Sequence, residues 1–284
     1  RYHARDAAIY LAHLHKAKVL LGSATPCVES YYNAKTGKYA LVEMHTRFAG
    51  IALPKIQTID IRKAHLKKQM TQQFAPKMLS AITETLEAGK QVILFQNRRG
   101  YSPVLSCGTC AYTPNCNACD VSLTYHKWNN QLKCHYCGYT EQVPEFCPSC
   151  SAKDFSDKGF GTEQIEESLK ELLPTYVTKR MDYDTTRGKN AHQQIITDFE
   201  QGRIDILVGT QMVTKGLDFD NVALVGILNA DSMLHFPDFR AYERAFQLMM
   251  QVAGRAGRKG QQGQVLVQTY DEEHEMFGLL KAND

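Results

Sequence analysis

Eight of the nine cysteines in this 284-residue chain fall in one short stretch, from Cys107 to Cys150. They come as four C-x-x-C pairs: Cys107/Cys110, Cys116/Cys119, Cys134/Cys137 and Cys147/Cys150. Two residues between thiolates allow a tight turn that offers both sulfurs to one ion, and four sulfurs complete a tetrahedral zinc site. Gly108 and Gly138 sit in or just after such turns. Eight ligands therefore predict two zinc ions. The even pairing favours reduced thiolates holding metal over a disulfide framework.

The inner pairs, Cys116/Cys119 and Cys134/Cys137, are separated by the 14 residues 120–133, close to the zinc-ribbon spacing. The outer pairs, Cys107/Cys110 and Cys147/Cys150, would then close the base. This nested scheme is preferred to a sequential one, because it brings the ends of the stretch together as an excursion from a parent domain requires. From 107 to 150 the only lysines are Lys127 and Lys133, against Asp120, Glu141 and Glu145. That balance argues against a basic nucleic-acid finger. Tyr112, Tyr125, Trp128, Tyr136, Tyr139 and Phe146 form either the module's small core or an exposed stacking or partner-docking face. The sequence leaves both open. The ninth cysteine, Cys27, reads as a small buried residue.

Something must position this device. Hydrophobic content is 43% and charged content 22%, with 33 basic against 30 acidic side chains. Those values describe a core-forming globular chain and exclude a disordered or fibrous one. No apolar run reaches the length of a membrane span, so no membrane partner is expected. Outside the cysteines, short apolar strands alternate with helices. The expected strands are Lys18–Leu21, Gln91–Phe95, Asp205–Val208, Val222–Leu228 and Gln264–Val267. The expected helices are Tyr2–His15, Pro76–Glu87, Thr162–Leu172, Asn190–Glu200 and Phe239–Val252. The class is α/β with a mostly parallel sheet and flanking helices, ligands being expected at the carboxyl ends of strands.

Three segments beyond the cysteines carry a resemblance. Residues 22–26 read Gly-Ser-Ala-Thr-Pro, 209–218 read Gly-Thr-Gln-Met-Val-Thr-Lys-Gly-Leu-Asp, and 251–258 read Gln-Val-Ala-Gly-Arg-Ala-Gly-Arg. In this order they look like motifs III, V and VI of superfamily 2 helicases. Arg1-Tyr2-His3-Ala4-Arg5-Asp6, Asn97-Arg98-Arg99-Gly100-Tyr101, Gly161-Thr162-Glu163 and Asp238-Phe239-Arg240-Ala241 narrow the likeness. With the eight-cysteine insert, nearly the whole chain resembles the bacterial primosomal replication-restart helicases. Leu217, where a histidine is expected, and Cys27 are departures from that pattern.

The resemblance implies a RecA-like second helicase lobe, interrupted by the zinc insert and preceded by the tail of a first lobe. The implied boundaries are 1–50 for the first-lobe tail, 51–105 and 152–284 for the second lobe, and 106–151 for the insert. It implies Arg258 as an arginine finger with Arg255 beside it and Gln251 coupling nucleotide to strand, since a guanidinium fork suits phosphate oxygens. Gly216, Asp218 and Gly254 would face the nucleotide. Thr210, Gln211, Lys215, Arg98 and Arg99 would hold the tracked strand, as would Arg1, Tyr2, His3 and Arg5 at the end of an aromatic-rich loop. Ser23 and Thr25 would couple the two sites. Implied cofactors are two zinc ions, with ATP and magnesium in the whole protein. Implied partners are single-stranded and forked DNA, single-strand-binding protein and other primosome proteins, in a bacterial cytoplasm associated with the nucleoid.

The phosphate-cradling loop G-x-x-x-x-G-K-[S/T] is missing from the sequence. It is expected upstream of Arg1, so this segment alone is expected to hydrolyse almost no ATP. Asp271-Glu272-Glu273-His274 mimics a magnesium-holding helicase box, but it follows the arginine motif and reads as an acidic exit from the lobe. The rival reading from another class is a non-catalytic zinc scaffold that binds DNA or replication proteins.

Overall fold

In the computed structural model the described residues are 3–44, 52–97, 104–110, 112–126, 129–153, 155–156, 161–182, 185–186, 188, 190–214, 219–257 and 262–282. The chain forms two compact units, Arg1–Glu43 and Met44–Asp284. Among the described residues no helix is long and apolar enough to cross a membrane.

The first unit contains two helices, α1 (Ala4–Leu14) and α2 (Val28–Lys35). Neither helix buries a residue within the chain. The strand expected at Lys18–Leu21 does not form, and Leu20 is 96% exposed. A buried parallel strand exists only through ladder partners on its flanks, and none pairs with this segment among the described residues.

The second unit is built on β1 (Lys55–Asp60), α3 (Ile61–Leu66), α4 (Pro76–Glu87), β2 (Gln91–Phe95), β3 (Ser106–Cys107), β4 (Thr124–His126), β5 (Gln131–Lys133), β6 (Thr140–Gln142) and β7 (Phe155–Ser156). There follow α5 (Thr162–Leu172), β8 (Thr178–Met181), α6 (Ala191–Glu200), β9 (Ile206–Gly209), β10 (Val222–Ile227), α7 (Asp231–Leu234), α8 (Ala241–Ala253), β11 (Gln264–Thr269) and α9 (Glu275–Ala282). Six strands form one sheet in the order β1-β11-β10-β2-β9-β8, and every pairing in it is parallel.

Both faces of that sheet are covered, which explains why its central strands read as continuous apolar runs. Ile93 and Phe95 of β2 join one core with Phe199, Met249, Val252 and Phe277 from α6, α8 and α9. Val92 and Leu94 of the same strand join the other, with Met78, Ile82, Ile165 and Leu169 from α4 and α5. Helix α4 starts on Pro76, where the missing N–H costs nothing. Helix α8 buries Ala241, Ala245, Met249 and Val252, the three-to-four spacing of a one-sided helix. The edge strands β1 and β8 escaped the sequence reading. They are half-exposed and carry Lys, Thr and Arg where a buried strand would carry only apolar residues.

Candidate metal centres and nucleic-acid interface

The insert leaves the sheet after β2 and is closed by β3 against β7, which pair antiparallel with Ser106 opposite Ser156 and Cys107 opposite Phe155. Its closing strand thus lies beyond the expected limit at residue 151. Within it, β4, β5 and β6 form a three-stranded antiparallel sheet. Two four-cysteine clusters result, Cys107/Cys110/Cys147/Cys150 and Cys116/Cys119/Cys134/Cys137, each with its sulfurs within 4.8 Å of one another. This is the nested pairing.

The sulfur geometry fits zinc and not disulfides. Cys107 Sγ lies 3.6 Å from Cys150 Sγ, Cys110 Sγ 3.6 Å from Cys147 Sγ, and Cys116 Sγ 3.5 Å from Cys137 Sγ. A disulfide needs ~2.05 Å, whereas four sulfurs ~2.3 Å from one ion stand roughly 3.8 Å apart. The turns are held by their own backbone. Cys134 N–H donates to Tyr139 at 2.8 Å and Gly138 N–H to Cys134 at 3.0 Å. Cys147 N–H donates to Ala152 and Ser151 N–H to Cys147, both at 2.8 Å. Gly138 has φ +80°, which relieves the turn of a side-chain penalty.

Electrostatics within each cluster are asymmetric. Burial works against ionising Cys134, but the N–H groups of Cys137 and Tyr136 overcome it and draw the thiol down to about 7. Cys147 is likewise brought to about 7, burial being outweighed by the N–H groups of Cys150 and Ser149. Burial and the neighbouring thiols push Cys119 up to about 12. Cys150 accepts the Ala152 N–H, yet burial and its neighbours also push it up to about 12. Each cluster thus holds one thiol eased toward ionisation beside another held strongly protonated. A dication is the partner that lets the others ionise.

The aromatic residues divide between the two expected roles. Leu105, Val121, Leu123 and Leu132 form the insert's core with Cys116 and Cys134, and Tyr125 and Tyr139 pack partly against it. Tyr136 and Phe146 remain exposed, with the Lys153 ammonium 5.4 Å over the Phe146 ring. Trp128 lies outside the described residues.

The residues of the helicase-like sequence segments gather at two opposite ends of the sheet. At the carboxyl ends, Gly209 closes β9 beside Phe95 of β2, and its carbonyl accepts the Gln96 N–H at 2.9 Å. A Cβ on Gly209 would meet Val213 Cγ1 at 2.2 Å and the Met181 carbonyl at 3.0 Å. Only glycine fits there. It lets the 3-10 turn Gln211–Thr214 fold directly over the strand end. Gln211 Nε2 then reaches Asn97 Oδ1 at 3.4 Å, joining the 209–218 segment to the Asn97-Arg98-Arg99 segment. Thr210 is 4% exposed, so its side chain is part of the turn's packing in this conformation. Lys215, Gly216, Asp218, Arg98 and Arg99 lie outside the described residues.

At the amino ends lies the arginine segment. Gln251 and Arg255 are half-buried, Gly254 caps α8, and Gly257 N–H donates to Val222, the first residue of β10, at 3.0 Å. This departs from the expectation that ligand-facing segments collect at strand carboxyl ends. Helix α8 runs back along the sheet before β11 begins, so its last turn must emerge at the opposite end. Arg258 itself lies outside the described residues. The Asp271–His274 stretch follows β11 and serves α9. Asp271 accepts the Glu273 N–H at 3.3 Å, Glu272 pairs with Lys63 at 3.3 Å, and the His274 ring packs on Tyr242 and Phe277.

In the first unit, His3 caps α1 without a side-chain bond. Arg5 faces inward, its guanidinium donating to Asp6 at 2.7 Å, to Ser30 at 2.9 Å and to Cys27 Sγ. Cys27 is therefore half-buried at the start of α2 rather than packed in a core. Ser23 Oγ accepts the Thr25 N–H at 3.1 Å, a local turn bond. Arg1 and Tyr2 lie outside the described residues. Sequence reasoning missed Asp231. It is buried at the carboxyl end of β10, where its carboxylate accepts the Tyr270 N–H at 3.1 Å and the Thr269 hydroxyl at 3.1 Å. Burial raises its pKa to about 6. A lone Asp after a strand gave no signal of this.

Comparison with known proteins agrees with the geometry. Residues 116–142 match the family described as "PriA DNA helicase Cys-rich region (CRR) domain", and residues 138–260 match "Helicase conserved C-terminal domain". The chain is 45% identical to the Replication restart protein PriA of Bacillus subtilis (strain 168), over 100% of this chain and 35% of the relative. It is 44% identical to that of Chlamydia pneumoniae, over 96% of this chain and 37% of the relative. The chain thus spans about a third of the length of these curated relatives. A solved structure of S. cerevisiae Dbp5 bound to RNA and ADP BeF3 overlays with a TM-score of 0.47 at 14% identity, covering 98% of this chain and 51% of that one. With the nested cysteine clusters falling inside the matched Cys-rich segment, the chain is similar over its whole length to about a third of the replication restart protein PriA.

Proposed function

We propose that the chain is the second motor lobe, with its zinc insert, of an ATP-driven 3′-to-5′ DNA helicase that restarts replication and assembles primosomes at stalled forks. Arg1–Glu43 contributes the tail of the first lobe, with Ser23 and Thr25 coupling the two sites. The observation that carries this reading is the division of the motif residues along one parallel sheet. Asn97 and Gln211 meet at its carboxyl end, and the Gln251–Gly257 segment emerges at its amino end. Six residues of β10 separate them, roughly 17 Å at strand rise. Such a span lets one lobe hold a nucleic-acid strand at one end and sense nucleotide at the other, with the sheet as a stiff link.

In that reading Gln211, Lys215, Arg98 and Arg99 grip the strand's phosphates, joined by Arg1, Tyr2, His3 and Arg5, and Thr210 shapes the turn that presents them. Arg255 and Arg258 neutralise charge on the transferring phosphoryl group, Gln251 links that event to the strand, and Gly216, Asp218 and Gly254 line the nucleotide side. ATP with magnesium, when bound, supplies the phosphoryl bond whose cleavage drives the cycle. With no phosphate-cradling loop in its sequence, the 284-residue segment alone is expected to hydrolyse almost no ATP. Single-stranded and forked DNA, single-strand-binding protein and other primosome proteins are the partners, in the bacterial cytoplasm. The test is DNA-stimulated ATPase of the full-length protein carrying Arg258→Ala. An arginine finger predicts a fall of about 10³-fold or more, and near-normal turnover overturns the assignment.

A further inference from the structure

The insert touches the lobe at a second place besides its own β3–β7 closure. Tyr136 sits in the inner cysteine turn, between Cys134 and Cys137. Its ring meets Phe239 edge-on, with centroids 6.3 Å apart and planes at 86°. Its hydroxyl oxygen lies 3.4 Å from the Phe239 N–H, which donates to it. The Arg240 guanidinium lies over the Phe239 ring at 5.1 Å. Beside this contact the Asn115–Ser122 turn of the insert faces His235, Asp238 and Tyr242 of the lobe across a small cleft.

Phe239 stands two residues before α8, whose far end carries Gln251 and leads into Arg255. Thirteen residues of α8 span roughly 20 Å as one rigid rod. A two-residue strand pair is a single tether about which an insert can pivot. A second contact removes that freedom. We propose that Tyr136 and Phe239 form a positioning seat that clamps the inner zinc cluster to the amino end of α8. The insert then moves as one body with the helix that bears Gln251 and leads into Arg255. Load on the insert is passed to the lobe through this seat, so the seat ties ATP turnover to work on DNA. This rests on the motor reading above.

The test uses full-length protein with Tyr136→Ala, Phe239→Ala and Tyr136→Phe, reading zinc per chain, DNA-stimulated ATPase, base pairs unwound per ATP, and amide exchange over residues 236–242. An aromatic pair of this kind shifts seat occupancy about two- to tenfold. Both alanine variants are expected to keep two zinc ions and ATPase within about twofold of wild type. They should unwind about two- to tenfold fewer base pairs per ATP and exchange the 236–242 amides faster by a similar factor. Tyr136→Phe, which keeps the ring, should restore most of both. Unchanged exchange and unchanged unwinding per ATP in the two alanine variants overturn the seat, as does a proportional fall of ATPase and unwinding together. If Tyr136→Ala sheds zinc, Phe239→Ala decides, since it lies outside the insert. A wild-type protein without DNA-stimulated ATPase defeats the motor reading, while the exchange measurement still decides whether the seat exists.

Discussion

Replacing Cys134 by serine removes one of four sulfurs from the inner cluster, and the structure fixes what should follow. Cys134 is fully buried, sits in the insert's core with Cys116, Leu123 and Leu132, and is the inner thiol already drawn down to about 7. Structural zinc sites supply about 10–16 kcal/mol. One ligand in four therefore carries roughly 3–4 kcal/mol, a loss of about 10²–10³ in affinity. The outer cluster shares no sulfur with the inner one. Zinc per chain, measured by atomic emission after dialysis against a weak chelator, should fall from two to one. Two double variants then separate nested from sequential pairing. Cys116→Ser with Cys134→Ser strikes one site only under nesting and should leave one ion. Cys134→Ser with Cys147→Ser strikes both sites and should leave none. The reverse pattern refutes the nested arrangement, and retention of two ions by Cys134→Ser refutes its role as a ligand.

Two further outcomes follow from the lobe. Gly209→Ala forces a methyl group into Val213. Overpacking of this kind costs about 1–3 kcal/mol, so the melting temperature should drop roughly 2–12 °C; an unchanged melting curve would mean that the turn after β9 has room. Asp231→Asn addresses pH. Burial holds Asp231 at about 6 against an ordinary 3.8, so the folded chain binds the extra proton between those values. Its contribution to stability is therefore fullest below about 4 and is lost as pH rises through 6. Denaturant titrations should show wild type losing stability relative to Asp231→Asn over that window, and parallel curves would contradict the shift.

The sequence by itself determined the zinc chemistry and the class of fold. Ligand identity is written in residue type and local spacing, because a C-x-x-C turn presents two sulfurs whatever surrounds it. The central strands Gln91–Phe95, Asp205–Val208 and Val222–Leu228 were legible to within a residue or so, because burial on both faces demands uninterrupted apolar runs. The edge strands were not legible, since half-exposed β1 and β8 tolerate Lys and Arg. Lys18–Leu21 shows the converse error. Its local pattern suits a strand, but a strand is a relation to neighbours, and the apolar residues stand exposed without them. Tertiary structure alone decided which end of the sheet each motif occupies. That follows from the direction in which α8 returns along the sheet, a long-range property that no window of residues contains. It alone also placed Tyr136 on Phe239, 103 residues away, and put Asp231 under the Tyr270 N–H. Both contacts depend on how distant elements pack, whereas spacing reports only what lies within a turn or two.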